Sequence, residues 1–316
     1  MGVKMDVGAK PLYGCIEAGG TKFICALANG EGQWLTRTRI ETTHPADTIG
    51  RMVDFLRQAQ QQYGRLASLG VASFGPIELD QSRPNWGSLT DTPKAGWSRV
   101  SLVEPLREAF AVPIEIDTDV NAAALAEVEA GGEACGQGLI YVTVGTGIGG
   151  GAVFDGRALH GLRHPEMGHL VPPRHPMDTD FPGCCPYHGA CVEGLASGPA
   201  IIARWGRSLS QLDENHPAHD IVAWYLGHLV ASMLAMLSPG RIVFGGGVMG
   251  TPGLLDRVRV HAEHLAAGYL AERGTVGQII QPPQLEADVG LRGALLLAKA
   301  ALDRAQPESS PKSLAS

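Results

Sequence analysis

The chain has little charge. Charged residues make up 18% of its 316 residues and the net charge is −7, with no basic run anywhere. A nucleic-acid surface needs clustered Lys and Arg to neutralise phosphates, so none is expected. Residues 1–10 lack the positive start and apolar stretch of a secretory leader, and no apolar run is read as approaching the roughly 20 residues that span a bilayer. The expectation is a cytoplasmic protein with no nucleic-acid and no membrane partner. Six cysteines in so long a chain, with no leader, do not make a disulfide framework and leave metal binding or burial. Cys15, Cys25 and Cys135 stand among apolar neighbours and read as core filling, whereas Cys184, Cys185 and Cys191 fall close together.

Apolar residues, at 44%, and glycine, at 42 residues beside 21 prolines, are abundant. This is the composition of a globular α/β protein with many tight turns. The length predicts two lobes of roughly 100–200 residues each.

Tyr13 to Ala18 is an apolar run, Gly19-Gly20-Thr21-Lys22 a turn, and Phe23 to Ala28 a second apolar run, which reads as strand, glycine turn, strand. The plan recurs: Leu139 to Val144 is a strand, Gly145-Thr146-Gly147-Ile148-Gly149-Gly150-Gly151 the turn, and Ala152 to Phe154 leads out. Such a repeat suggests two halves of related topology. Ile49, Met52, Val53, Leu56 and Ala59 recur at helical spacing within Ala46 to Tyr63, followed by a strand from Leu66 to Ala72. Ile114 to Ile116 reads as a strand ending at Asp117-Thr118-Asp119, with a helix over Val120 to Ala130. Ser197 with Pro199, and Thr251 with Pro252, read as helix starts, since Pro at the first helical position costs no hydrogen bond. Ile221 to Leu237 is a long helix, Arg241 to Phe244 a strand entering a third glycine turn at Gly245-Gly246-Gly247, and Gly290 to Leu302 a last helix.

A glycine turn lets backbone N–H groups approach a phosphate closely, and three such turns exceed what a fold needs. Gly145, Gly147 and Gly150 match G-x-G-x-x-G, but that dinucleotide fingerprint requires a helix to follow, and here the chain continues as a strand. A nicotinamide dehydrogenase is therefore a remote alternative. With no P-loop present, a nucleotide would be held by paired turns, one from each half.

Gly19-Gly20-Thr21-Lys22, Asp119-Val120-Asn121, Gly145 to Gly151, Glu166-Met167-Gly168-His169 and Gly245-Gly246-Gly247 occur in the order seen in ROK sugar kinases, which the chain resembles from about Tyr13 to Leu302. The resemblance implies an α/β fold with a duplicated core, the two-lobed actin, hexokinase and Hsp70-like (ribonuclease H-like) architecture. It places an N-terminal lobe at 11–118, with a helix at 290–303 packing back on it, and a C-terminal lobe at 119–289 carrying a metal-binding insertion at 164–193. Residues 1–10 and 306–316 are expected to be disordered tails. Glu17-Ala18, Asp117-Thr118-Asp119, Cys185-Pro186-Tyr187-His188-Gly189 and the stretch from Glu193 to Pro199 look like the bacterial fructokinase branch. Mannokinase, glucokinase and amino-sugar kinase are the alternatives within the class. A sugar-responsive regulator of the same family, which would carry an N-terminal helix-turn-helix domain, is a remote alternative, since only about a dozen residues precede the first expected strand.

Phosphoryl transfer to a sugar hydroxyl asks for a base, donors around the phosphates and a magnesium ion to offset charge. The resemblance assigns the base to Asp119, a residue that reads equally well as the cap of the helix at Val120. It assigns ATP to Gly19, Gly20, Thr21, Lys22, Gly145, Thr146, Gly147, Gly246 and Gly247, although Lys22 could be a solvated surface charge. Glu17 would orient Mg2+ through water, and the sugar would meet Asp119, Asn121, Glu166 and Glu193. A homodimer is implied.

His169, Cys185, His188 and Cys191 run as H-x15-C-x2-H-x2-C, two thiolates and two imidazoles suited to tetrahedral zinc, and a site closed by four protein ligands is structural. Cys184 could take the place of Cys185, and His164 or His175 that of His169; the choice of Cys185 rests on the resemblance. Glu166 and Glu193 flank these ligands, so metal binding would fix both carboxylates.

Overall fold

The computed structural model describes residues 10–131, 137–285 and 288–306. Apart from Lys10 and Gln306, the expected tails lie outside the described residues, as does Cys135. The chain divides into two compact units, Met1–Ala122 with Gly290–Ser316, and Ala123–Val289.

The first unit is built on β1 (Tyr13–Ala18), β2 (Lys22–Ala28), β3 (Trp34–Glu41), β4 (Ser68–Ser73) and β5 (Ile114–Thr118). These form a five-stranded sheet of order β3-β2-β1-β4-β5. β1 to β3 are antiparallel, and β4 and β5 run parallel to β1. Helix α1 (Pro45–Tyr63) buries Ile49, Met52, Val53, Leu56 and Ala59, the stripe its spacing predicts. Helix α2 (Glu104–Ala109) and the start of α3 (Asp119–Gly131) follow.

The second unit repeats the plan with β6 (Leu139–Val144), β7 (Ile148–Phe154), β8 (Arg157–Ala158), β9 (Arg241–Gly245) and β10 (Ile280–Gln281), in the order β10-β9-β6-β7-β8. Again the first three strands are antiparallel while β9 and β10 run parallel to the first. The strand pattern is thus the same in both units, each parallel strand being reached through a helical crossover. Its helices are α4 (Val192–Ala196), α5 (Gly198–Trp205), α6 (Ala218–Leu237), α7 (Leu254–Ala266) and α8 (Val276–Ile279). Helix α6 is long and apolar enough to cross a bilayer, contrary to the reading that no such run exists. Its apolar residues Val222, Leu226, Leu229, Val230 and Met233 instead belong to the core of the second unit.

The final helix, α9 (Val289–Ala305), packs on the first unit's sheet. Ser68 Oγ on β4 donates to the Ala298 carbonyl at 2.6 Å, and a side chain at Gly70 would run into the backbone of Ala294. From Ala123 onward, α3 is part of the second unit: Ala123 and Ala124 pack with Leu139, Tyr141 and Val243. Glu127, fully buried, accepts the backbone N–H groups of Gln284 and Leu285 at 3.0 Å each, so the carboxylate's desolvation is met by backbone donors and by Arg241 3.6 Å away.

Candidate active site and metal centre

Parallel strands carry their functional groups at their C-terminal ends. In the first unit the register aligns Ala18, Ser73 and Thr118 across β1, β4 and β5. The Gly19–Lys22 turn and Asp119 therefore leave the sheet at one edge. The turn is closed by Gly19 N–H donating to the Lys22 carbonyl at 2.9 Å, and Thr42 Oγ1 donates to the Gly19 carbonyl at 2.8 Å. Gly20, Thr21 and Lys22 are exposed. At the same edge a Cβ on Gly290 would meet the Glu17 carboxyl carbon at 2.7 Å, so the first turn of α9 closes over Glu17.

The β5–α3 junction separates the two roles that Asp119 offers from sequence. Thr118 Oγ1, not Asp119, accepts the Asn121 N–H at 3.1 Å and caps the helix. Asp119, half-buried, is the first helical residue, with Oδ1 accepting the Val120 N–H at 2.9 Å. Asn121 is 1% exposed and turns its amide inward, donating to Asp117 Oδ1 at 2.8 Å, while Asp117 Oδ1 also accepts the Thr118 N–H at 2.7 Å. Asn121 thus braces the junction that presents Asp119.

In the second unit the β6–β7 turn is only Gly145-Thr146-Gly147; Gly149, Gly150 and Gly151, expected in the turn, are strand residues paired with β6. A strand, not a helix, follows the glycines, so the dinucleotide arrangement is absent here. Register places the Gly246 turn at the same edge, since Thr143 pairs with Gly245. Gly246 has φ +93°, and a Cβ there would lie 2.5 Å from the Val144 carbonyl oxygen, so glycine is required. The N-terminus of α5 abuts the first turn: Gly198 N–H donates to the Gly145 carbonyl at 2.8 Å, and Ser197 caps the helix by accepting the Ala200 N–H. A pocket of about 470 Å³ opens here, lined by Gly145 and Thr146 on one side and Pro199, Ile202, Val248 and Thr251 on others. Helix α7 starts at Leu254, two residues later than Pro252 predicts, because Gly253 in the left-handed region precedes it.

His169, Cys185, His188 and Cys191 converge, with one ligand atom of each within 4.8 Å of the others. His169 Nδ1 lies 3.6 Å from Cys185 Sγ, 3.5 Å from Cys191 Sγ and 3.2 Å from His188 Nδ1, and Cys185 Sγ is 3.8 Å from His188 Nδ1. Zinc bonds of ~2.0–2.1 Å to nitrogen and ~2.3 Å to sulfur imply tetrahedral edges of roughly 3.3–3.6 Å for such pairs. The cluster has the dimensions of a tetrahedral N2S2 metal site. Local backbone builds it: a tight turn pairs Cys185 with Gly189 in both directions, Val192 N–H donates to the Leu170 carbonyl at 2.8 Å, and Cys191 caps α4 by accepting the Gly194 N–H at 3.4 Å. Cys184 is exposed and outside the group, His164 lies beside Glu166, and His175 faces Asp220.

The two glutamates sit on this frame. The second nitrogen of His169 faces Glu166 at 3.9 Å, a placement that orients a ligating imidazole. Burial, with the charge of Glu193 adding, pushes the Glu166 carboxyl up to about 7. Glu193 Oε2 accepts the Ile148 N–H at 2.9 Å, and a Cβ on Gly147 would come within 2.7 Å of that oxygen. Burial also pushes the Cys191 thiol up to about 11, so a cation must displace a proton to bind there. The link from Glu193 to the β6–β7 turn was invisible in the sequence, because it joins residues far apart. Ser197-Gly198 carried a local signal, the helix start, but none for its partner Gly145.

Two duplicated sheets, each with a glycine turn at the ends of its parallel strands, define a protein of the actin-like sugar-kinase fold. The chain belongs to the ROK family, which it matches over residues 13–301. It is 50% identical to the fructokinase of Zymomonas mobilis over 92% of this chain and 98% of that one. It is 38% identical to the fructokinase of Streptococcus mutans, over 91% and 97% of the two chains. Among solved structures it is similar to the ROK hexokinase of Thermus thermophilus, with a TM-score of 0.73, 26% identity and coverage of 93% and 99%.

Proposed function

We propose that this chain is an ATP-dependent fructokinase that makes fructose 6-phosphate. The observation that carries the reading is the sheet register that sets Asp119 at the same edge as the Gly19–Lys22 turn. Similarity to the two fructokinases supports fructose as the sugar.

In the first unit, Asp119 takes the proton of the sugar's 6-hydroxyl as that oxygen bonds to the γ-phosphorus and the bond to the β-phosphate oxygen breaks, releasing ADP. Thr21 and Lys22, with Gly19 and Gly20, bind phosphate oxygens, and Glu17 is the residue that would hold magnesium, through water, beside them. Magnesium, when bound, offsets phosphate charge. In the second unit, Gly145, Thr146 and Gly147 donate to phosphate, while Gly246 and Gly247 border the nucleoside. Glu166 and Glu193 accept from sugar hydroxyls. His169, Cys185, His188 and Cys191 would hold zinc, and a site closed by four protein ligands would cross-link the segments carrying the two glutamates without taking part in the chemistry. The working form is a homodimer in the cytoplasm.

Incubation with MgATP and fructose, followed by phosphorus and carbon NMR of the product, tests the reading. Phosphate on C6 of fructose is expected; phosphate on C1, or no phosphorylated fructose, would overturn it.

A further inference from the structure

The segment between the first two metal ligands, and the far end of α4, meet at an arginine that the proposed chemistry does not use. Arg204, at the end of α5, is 6% exposed at its side chain, as is Asp178. One terminal nitrogen pairs with Asp178 Oδ2, and the other donates to the Leu195 carbonyl in the last turn of α4. Its guanidinium lies 4.7 Å from the centre of the Phe181 ring and 4.2 Å from that of Trp205. Tyr225 on α6 donates to Asp178 Oδ2 at 2.6 Å. Arg174 ties the same loop by donating to the Asp178 and Phe181 carbonyls.

A five-residue helix cannot hold itself, because nucleation costs more than its few hydrogen bonds return. Helix α4 is of that length, so its position comes from tertiary contacts: Val192, Leu195 and Ala196 are buried in the core of the second unit, and side chains hold both of its ends. Cys191 caps the front end. Arg204 supplies a cation to the Leu195 carbonyl at the rear, where a helix leaves carbonyls without intrahelical donors and its dipole favours positive charge. Glu193 lies between the two. The planar guanidinium serves here because it must bind a carboxylate, bind a carbonyl and pack against rings at once, which an ammonium cannot do.

We propose that Arg204, oriented by Asp178 and Tyr225, is a positioning residue that sets Glu193 for the sugar, a second clamp on α4 independent of the metal. The inference rests on the reading of Glu193 as a sugar ligand. Arg204→Lys, Glu193→Gln and the double variant are assayed as full-length, zinc-loaded protein, with metal content and KM for fructose and ATP measured separately. Arg204→Lys is expected to keep one zinc per chain and raise the fructose KM by about tenfold or more while moving the ATP KM less. The double variant is expected to show no more than the Glu193→Gln defect, because the arginine acts through that glutamate. Multiplicative defects in the double variant, or an unchanged fructose KM in Arg204→Lys beside a raised one in Glu193→Gln, would overturn the inference alone. An unchanged KM in Glu193→Gln would remove the sugar-ligand reading and the inference with it. Should Arg204→Lys fail to fold, Tyr225→Phe decides: a smaller rise in fructose KM supports the clamp, and none refutes it.

Discussion

Glu193 Oε2 accepts the backbone N–H of Ile148 at 2.9 Å. One carboxylate, two residues beyond Cys191 of the Cys/His cluster, thereby fixes the first residue of β7 and the end of the Gly145-Thr146-Gly147 turn. In the proposed function, the parts assigned to sugar and to phosphate in the second unit share this hydrogen bond. Ile148 is buried, so Glu193→Ala leaves a buried donor unpaired, at a cost of roughly 1–3 kcal/mol of stability. Thermal unfolding should show that loss, and kinetics should show KM raised for both ATP and fructose. A defect confined to fructose would mean that the turn does not depend on this bond.

Asp119→Asn is expected to fold as the wild type does, because Thr118 rather than Asp119 caps α3. Removing the base should lower kcat by about 10²- to 10⁴-fold with fructose affinity largely kept. Isothermal titration with fructose, beside a turnover assay, separates the two effects. Turnover within a few-fold of wild type would exclude Asp119 as the base.

The metal cluster is expected to carry one zinc per chain, tied to the segment that bears Glu166 and Glu193. Chelation, or Cys191→Ser, should lower the melting temperature and raise the fructose KM, with zinc restoring the chelated protein. Metal analysis of the purified protein together with fructose kinetics before and after chelation gives the answer. Unchanged kinetics in zinc-free protein would detach the metal from sugar binding.

Acid should destabilise the fold through two imidazoles, His219 buried and His228 half-buried. Burial holds His228 and His219 below their ordinary value of 6.5, with the neighbouring His261 adding at His228. The unfolded chain then binds more protons than the folded one below about pH 6.5, so stability rises with pH through that window and is lost as pH falls. His228→Gln should lessen the drop in melting temperature between pH 7.5 and 5.5, and an equal drop in the variant would assign the acid sensitivity elsewhere.

Much of the architecture was legible because it is written in local pattern. The strand-turn-strand openings at Tyr13 and Leu139, the stripe of α1 and the Ser197–Pro199 helix start all appear where their residues predict. The strand β3 leaves no clear pattern in the sequence: Trp34–Glu41 alternates weakly, being half-buried or exposed along most of its length. The second turn is shorter than its glycines suggest, because consecutive glycines look like a loop whereas Gly149 to Gly151 are held in register by pairing with Leu139–Val144. Proximity of the four Cys and His residues could be read from their spacing. The placements of Asn121 and Arg204 could not, since each is set by a partner, Asp117 or Asp178, whose burial only the folded chain reveals.

The central claim is most directly tested by steady-state kcat/KM for fructose, glucose and mannose with MgATP, measured as ADP release. Fructose is expected to exceed the other two by an order of magnitude or more, about 1.4 kcal/mol in transition-state binding. No ADP release with any of the three sugars, or glucose as the preferred one, would contradict the account.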